Sequence, residues 1–362
     1  MRRDMTNPAF AQFLERFHRD YARDADLFPQ NLDPLQRKVL VVAAAKGAIE
    51  EASFLDDRML TPGMAGGWLS FEDFLLRARE AAEPAGRLGY IFHVGHCGST
   101  LLSRLLAFRP GDTALREPQI LRVLAEASCD IAEPWAALSE DMIHQLLDGL
   151  VRSWARPRGE ASRVIVKATS LASGLGPDLL ELTPQARAIA LHMKLEPYLA
   201  ALLAPETPSV DLSRGARVRF GRLKALLGDP GWRLHQLSLG ELAAASWLCE
   251  ASAMADLAAT HPDAVHALDF DDFLAAPGPH VLQAANHMGL GWTEPDAHAA
   301  LASPIMQRYS KAPEHQYGPD LRRQVLDDSR RRNAGEIAAG RAFVGRMLSA
   351  HPVLKPVEAW TV

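Results

Sequence analysis

Phe10, Phe13, Leu14 and Phe17 recur at three- and four-residue spacing along PAFAQFLERFHRDYA, the period of one apolar helix face. LDPLQRKVLVVAAAKGAIEEA reads as a second helix, with Pro34 placed to start it. TPGMAGGWLS punctuates. SFEDFLLRAREAAE then reads as a third helix, with Ser70 as its N-cap and Asp73 three residues on. Residues 1–85 are thus expected to form a helical extension packed on a core.

From residue 89 the texture changes. The β-rich runs YIFHV (90–94), RVIVKA (163–168), ARAIALHM (186–193) and AVHALDF (264–270) alternate with helical stretches such as 238–261. Such alternation predicts an α/β domain over 86–362, a parallel sheet flanked by helices, with a helical insertion around 204–262. Within it, 204–236 carries Arg214, Arg217, Arg219, Arg222 and Arg233 and reads as a surface helix with loops. Trp232, Trp247 and Trp292 read as core.

The chain has 362 residues, 48% of them hydrophobic, enough for a sizeable buried core. A net charge of -5 argues against wholesale nucleic-acid binding. Cys97, Cys129 and Cys249 are odd in number and scattered, which excludes a disulfide framework and fits a reducing, cytoplasmic setting. The opening MRRDMTNPAF has no apolar run behind its arginines, so no secretory leader is expected, and the longest apolar run is too short to span a bilayer.

The chemistry concentrates in YIFHVGHCGSTLLSRLL, residues 90–106. A strand runs into Gly95-His96-Cys97-Gly98-Ser99-Thr100, and an amphipathic helix follows at once. Backbone N–H groups released by glycine conformations converge on one concavity, and the helix adds its positive end. Ser99 and Thr100 offer hydroxyls to the same anion. The nucleotide-hydrolase motif needs a lysine after the second glycine and a longer glycine spacing, so an ATPase or GTPase is disfavoured. A cysteine-phosphatase loop around Cys97 fails because Arg104 stands one position too far. A metal site from His93, His96 and Cys97 lacks a distant partner pair, and no metal is expected.

FHVGHCGSTLLSRLL followed by LREPQIL resembles the sulfotransferase family, whose donor is 3'-phosphoadenosine 5'-phosphosulfate. The resemblance covers roughly 88–350 and includes VIVKATS, which ends a strand in Lys167, and VHALDFDDFLAAPGPHVLQAANHMGLGW. It implies a P-loop fold, with Gly95, His96, Cys97, Gly98, Ser99 and Thr100 holding the donor's 5'-phosphate. In the branch acting on tyrosine and glycans a Glu about twenty residues past the loop is the general base, and Glu117 stands there. Lys167 follows an apolar run at the C-terminal end of its strand, the edge where ligands bind in open parallel sheets, and is expected as a further catalytic residue.

The sequence departs from that pattern at two places. His96 occupies the place of the family's basic loop residue. Protonated beside a phosphate, its pKa would rise above the ordinary ~6.5, and activity would fall as pH climbs through it. The family's 3'-phosphate segment is replaced by KLEPYLAALL, which leaves Lys194 near the arginine position. Lys311, in a stretch with Arg308, Tyr309, Tyr317, Arg322 and Arg323, is the other expected contact to the donor, and Arg217 with Arg219 is a second basic candidate. Arg116 reads as a surface charge, and Thr169 with Ser170 as caps for the next helix. Expected acceptors are hydroxyls (or amines) of a small molecule, lipid or glycan, and a homodimer is compatible with the sequence. Two alternatives stay open: another P-loop nucleotide-dependent transferase or kinase-like protein, and a nucleotide- or anion-binding module that has lost catalysis.

Overall fold

The computed structural model describes residues 8–84, 86–157, 163–205, 210–229, 231–307 and 318–361. Eight strands are present among them: β1 Leu27–Asp33, β2 Lys38–Ala43, β3 Gly66–Ser70, β4 Leu88–His93, β5 Thr113–Arg116, β6 Val164–Lys167, β7 Arg187–His192 and β8 Val265–Asp269. They form a three-stranded sheet, β1-β2-β3, and a five-stranded sheet, β5-β6-β4-β7-β8. The latter is parallel at its β5–β6 and β7–β8 pairs, and helices lie between its strands in sequence, as the alternation predicts. Contacts divide the chain into two compact units, Met1–Tyr90 with Leu106–Arg187, and Ile91–Leu105 with Ala188–Val362.

In the first unit the helix expected at the N-terminus spans Pro8–Asp20 and buries Phe13 and Phe17. The second expected helix is not one. Residues 27–43 are an antiparallel hairpin, extended by β3 in register Lys38↔Ser70. Pro34 follows Asp33 at a turn, where Asp33 Oδ1 accepts from the Gln36 N–H at 2.9 Å and Arg37 takes φ 53°. Val39, Val41 and Val42 then bury their branched side chains, which suit a pleated surface better than a helix. The third helix is Phe71–Arg79, and Ser70 caps it by accepting from the Asp73 N–H at 3.1 Å. β5 and β6 pair with Arg116 opposite Lys167, so both side chains stand at the C-terminal end of their strands.

The second unit is organised by the helix Leu239–Thr260, started by a capping box between Ser238 and Glu241. It approaches the helix Ala334–Ala350 so closely that a Cβ on Gly240 would stand 1.9 Å from the Glu336 carbonyl oxygen. Trp247 is fully buried there and donates Nε1–H to the Met193 carbonyl at 2.8 Å. The arginine-rich stretch forms the helix Val210–Leu227.

Candidate active site

The helix Ser99–Leu106 follows β4 through the glycine loop, as expected. Gly95, His96 and Gly98 all have positive φ, 86°, 52° and 72°. Left-handed residues in succession are the backbone that turns peptide N–H groups toward an anion. The Gly95 N–H itself donates to His93 Nδ1 at 3.0 Å. Gly98 could be nothing else: its φ disfavours a side chain, and a Cβ would fall 2.1 Å from the Phe270 ring. Ser99 and Thr100 are buried, and Thr100 Oγ1 has no hydrogen-bond partner. An orphaned hydroxyl at the first turn of a helix fits an anion that supplies the missing bond. Cys97 turns its thiol inward to the Leu191 carbonyl, 3.5 Å away, so its contribution to the loop is its backbone. His96 is exposed.

At the C-terminal ends of β7 and β8, His192 and Asp269 are register partners. Burial pushes the His192 pKa down to about 4, against an opposing pull from Asp272. Its ring stacks on Trp360, with centroids 4.0 Å apart and planes within 4°. Lys194 is exposed at the N-cap of the helix Leu195–Leu203, whose end carries no side-chain cap. Lys311, with Arg308, Tyr309 and Tyr317, lies outside the described residues. Arg219 is not available to a nucleotide. It is buried and donates to Glu250 Oε1 at 2.8 Å and Asp211 Oδ2 at 3.0 Å. Arg322 pairs with Asp271 at 2.7 Å.

In the first unit Lys167 is wholly buried at the end of β6, and its ammonium donates to Glu117 Oε1. The Glu117 side chain keeps 26% of its surface exposed, so this carboxylate is tied to a buried ammonium without being sealed from solvent. Its backbone takes φ 51°, and its N–H donates to the Lys167 carbonyl at 2.7 Å. Among the described residues, only Arg37, His96 and Glu117 combine a side chain with positive φ. Arg37 sits in the hairpin turn; the other two are the residues singled out for chemistry. Backbone strain of this kind persists where the surroundings over-determine it, and it gathers at working sites.

Arg116 is not a surface charge. It is 4% exposed and donates Nη1–H to the carbonyls of Glu50 and Ala52, at 2.9 and 2.6 Å. Sequence reasoning missed this because both partners are backbone atoms more than sixty residues away. Pro118 is the N-cap of the helix Gln119–Ser128. Thr169 precedes a 3-10 turn, Ser170–Leu175, without a side-chain cap bond.

For the implied donor, the loop fits a phosphate: three left-handed residues, a helix start and an unpartnered Thr100 hydroxyl stand in one short segment. Of the two lysines expected at the donor's 3'-phosphate, Lys194 is among the described residues, and β7 just before it ends in His192, whose pKa burial pushes down to about 4. Among the described residues no group of three or more His, Cys, Asp or Glu is arranged to hold a metal ion, and no helix is long and apolar enough to cross a membrane.

No family model and no curated protein matches the chain. Solved structures do. The sulfotransferase domain from the Curacin biosynthetic pathway is similar at 14% identity over 67% of this chain and 89% of that one, with a TM-score of 0.35. The sulfotransferase domain of the Synechococcus PCC 7002 olefin synthase is similar at 14% identity over 71% and 94%, with a TM-score of 0.39. A sulfotransferase from Alicyclobacillus acidocaldarius is similar at 14% identity over 72% and 95%, with a TM-score of 0.33.

Proposed function

We propose that this chain is a sulfotransferase-like enzyme that moves a sulfuryl group from 3'-phosphoadenosine 5'-phosphosulfate to a hydroxyl of a small molecule, lipid or glycan. The donor supplies an activated sulfur–oxygen bond. The loop Gly95–Thr100 holds its 5'-phosphate through backbone N–H groups and the Thr100 hydroxyl, and His96 adds a proton-bearing ring on the exposed side. Glu117 takes the proton from the acceptor hydroxyl as its oxygen bonds to sulfur and the bond from sulfur to the phosphate oxygen breaks. Lys167 fixes the Glu117 carboxylate by the bond to Oε1 and keeps it charged-paired from behind. Lys194 and Lys311 are assigned to the 3'-phosphate.

The observation that carries this reading is Glu117 itself: a carboxylate in a left-handed backbone, tied to a buried lysine and still open to solvent. A general base needs that combination of fixed orientation and access. Thermal-shift titration with 3'-phosphoadenosine 5'-phosphate, AMP and ATP with magnesium tests the donor class. Preference for the bisphosphate supports the reading, and preference for ATP with magnesium replaces it with a kinase-like one. His96 in place of the basic loop residue, and KLEPYLAALL in place of the 3'-phosphate segment, favour a second reading, an anion-binding module without transfer. Binding of the bisphosphate with no transfer to a broad acceptor panel would establish that instead.

A further inference from the structure

Besides Lys167 of β6, the residues around Glu117 come from two places in the sequence. One is the β5 end; the other is a strap over 50–58, which belongs to neither sheet. Four hydrogen bonds join them. Arg116 donates to the carbonyls of Glu50 and Ala52. The Leu55 N–H donates to the Arg116 carbonyl at 2.7 Å, and the Leu55 carbonyl accepts from the Gln119 N–H at 3.0 Å. Leu55 therefore brackets Glu117, with one bond to the residue before it and one to the second residue after it. The strap's side chains continue the enclosure. The Phe54 ring lies 5.8 Å from the Lys167 ammonium and 3.9 Å from the Arg58 guanidinium. Arg58 forms an ion pair with Asp56 at 2.5 Å, and both feel the Glu117 charge.

We propose that the strap 50–58 is a positioning element for Glu117 and Lys167, with Arg116 and Phe54 as its positioning residues. This rests on the role given to Glu117 above. Arg116 commits Nη1 to two strap carbonyls, which fixes the strap against the β5 end. Leu55 then holds the peptides on either side of Glu117, so the left-handed φ is imposed by partners on both flanks. Phe54 covers Lys167, which is 0% exposed. Water kept from that ammonium strengthens its pull on Glu117 Oε1 and leaves the carboxylate one orientation. A segment from before the α/β layer thus sets the geometry of the candidate base, and its sequence carries no motif that announces this.

The strap is tested by the reactivity of Lys167 to amine acylation, read by peptide mass spectrometry against the exposed Lys46. Phe54→Ala is expected to raise Lys167 labelling about tenfold or more relative to Lys46, by opening its cover to solvent. In the unaltered protein, amide exchange over 50–58 and 113–121 is expected to occur as one cooperative unit. In transfer assays Arg116→Met is expected to lower kcat with the donor KM unchanged, and Arg116→Lys, which retains N–H donors for both carbonyls, is expected to recover much of it. Unchanged Lys167 labelling in Phe54→Ala, or independent exchange of the two segments, overturns the proposal. If the unaltered protein binds the bisphosphate and transfers nothing, the enzymatic reading falls, while labelling and exchange still decide the strap.

Discussion

His192 Nδ1 lies 3.6 Å from Asp269 Oδ2, and both atoms are buried without a hydrogen-bond partner. The carboxylate's other oxygen caps the next helix, accepting from the Asp271 and Asp272 N–H groups at 2.7 and 3.1 Å. Trp360 covers the imidazole. The pair is thus close enough to interact and too far apart to bond, and burial keeps the ring neutral.

That neutrality makes stability depend on pH. The folded-state pKa of about 4 lies below the ordinary 6.5, so the unfolded chain binds the proton more readily. The stability His192 contributes is present above the ordinary value and is lost as pH falls through the folded one. The loss amounts to about 3 kcal/mol across that interval. Urea unfolding of the unaltered protein and of His192→Asn, compared at neutral pH and near pH 4, checks this. The stability difference between the two should shrink by that amount on acidification, and a pH-independent difference would refute it.

Gly98→Ala is expected to damage the loop twice over. It forces a side chain into a left-handed φ, costing about 1–2 kcal/mol. It also drives a methyl into Phe270, an overpacking cost of about 1–3 kcal/mol. Melting temperature should fall, and affinity for 3'-phosphoadenosine 5'-phosphate should weaken at least about tenfold. Trimming the buried ring with Phe270→Leu would relieve the clash but leave φ at 72°, so affinity should stay weak in the double variant even where the methyl fits.

The glycine loop was legible because each of its parts has a local signature: a β-rich run, glycines, hydroxyls and an amphipathic helix. The hairpin over 27–43 was not, because Leu27 and Phe28 are buried side by side and break the alternation that marks a half-exposed strand. Val39, Val41 and Val42 held the better clue, in branching rather than in period. β5 escaped notice because four buried residues, Thr113–Arg116, are too short to show any period. Glu117 and Lys167 were found from their separate positions, but their pairing was not. It depends on the parallel register of β5 and β6, and no local pattern encodes register between strands fifty residues apart.

Glu117→Gln keeps the shape of the side chain and removes its charge. Transfer should fall by about 10²–10⁴-fold, the range for loss of a positioned general base. Binding of 3'-phosphoadenosine 5'-phosphate should persist, since the loop residues are untouched. Lys167 would lose its anionic partner while remaining buried, and a charge-assisted hydrogen bond is worth about 1.5–3 kcal/mol. A lowered melting temperature with retained ligand-induced stabilisation is therefore expected. Retained turnover would move the role of base to another residue.

Glu250 is wholly buried in the helix Leu239–Thr260 and accepts from Arg219 Nε and Arg222 Nη1, each at 2.8 Å. Removing one side of such a network leaves charge stranded away from water, and the cost reaches about 3–5 kcal/mol. Arg219→Met should therefore destabilise the protein strongly. Arg219→Met combined with Glu250→Leu should recover part of the loss, since an apolar replacement strands less charge than a half-removed pair. Urea unfolding reads both effects. Because Arg219 is committed to Glu250 and Asp211, nucleotide affinity of the folded fraction should stay unchanged in both variants. A selective loss of affinity for the bisphosphate over AMP would instead return Arg219 to the donor's 3'-phosphate.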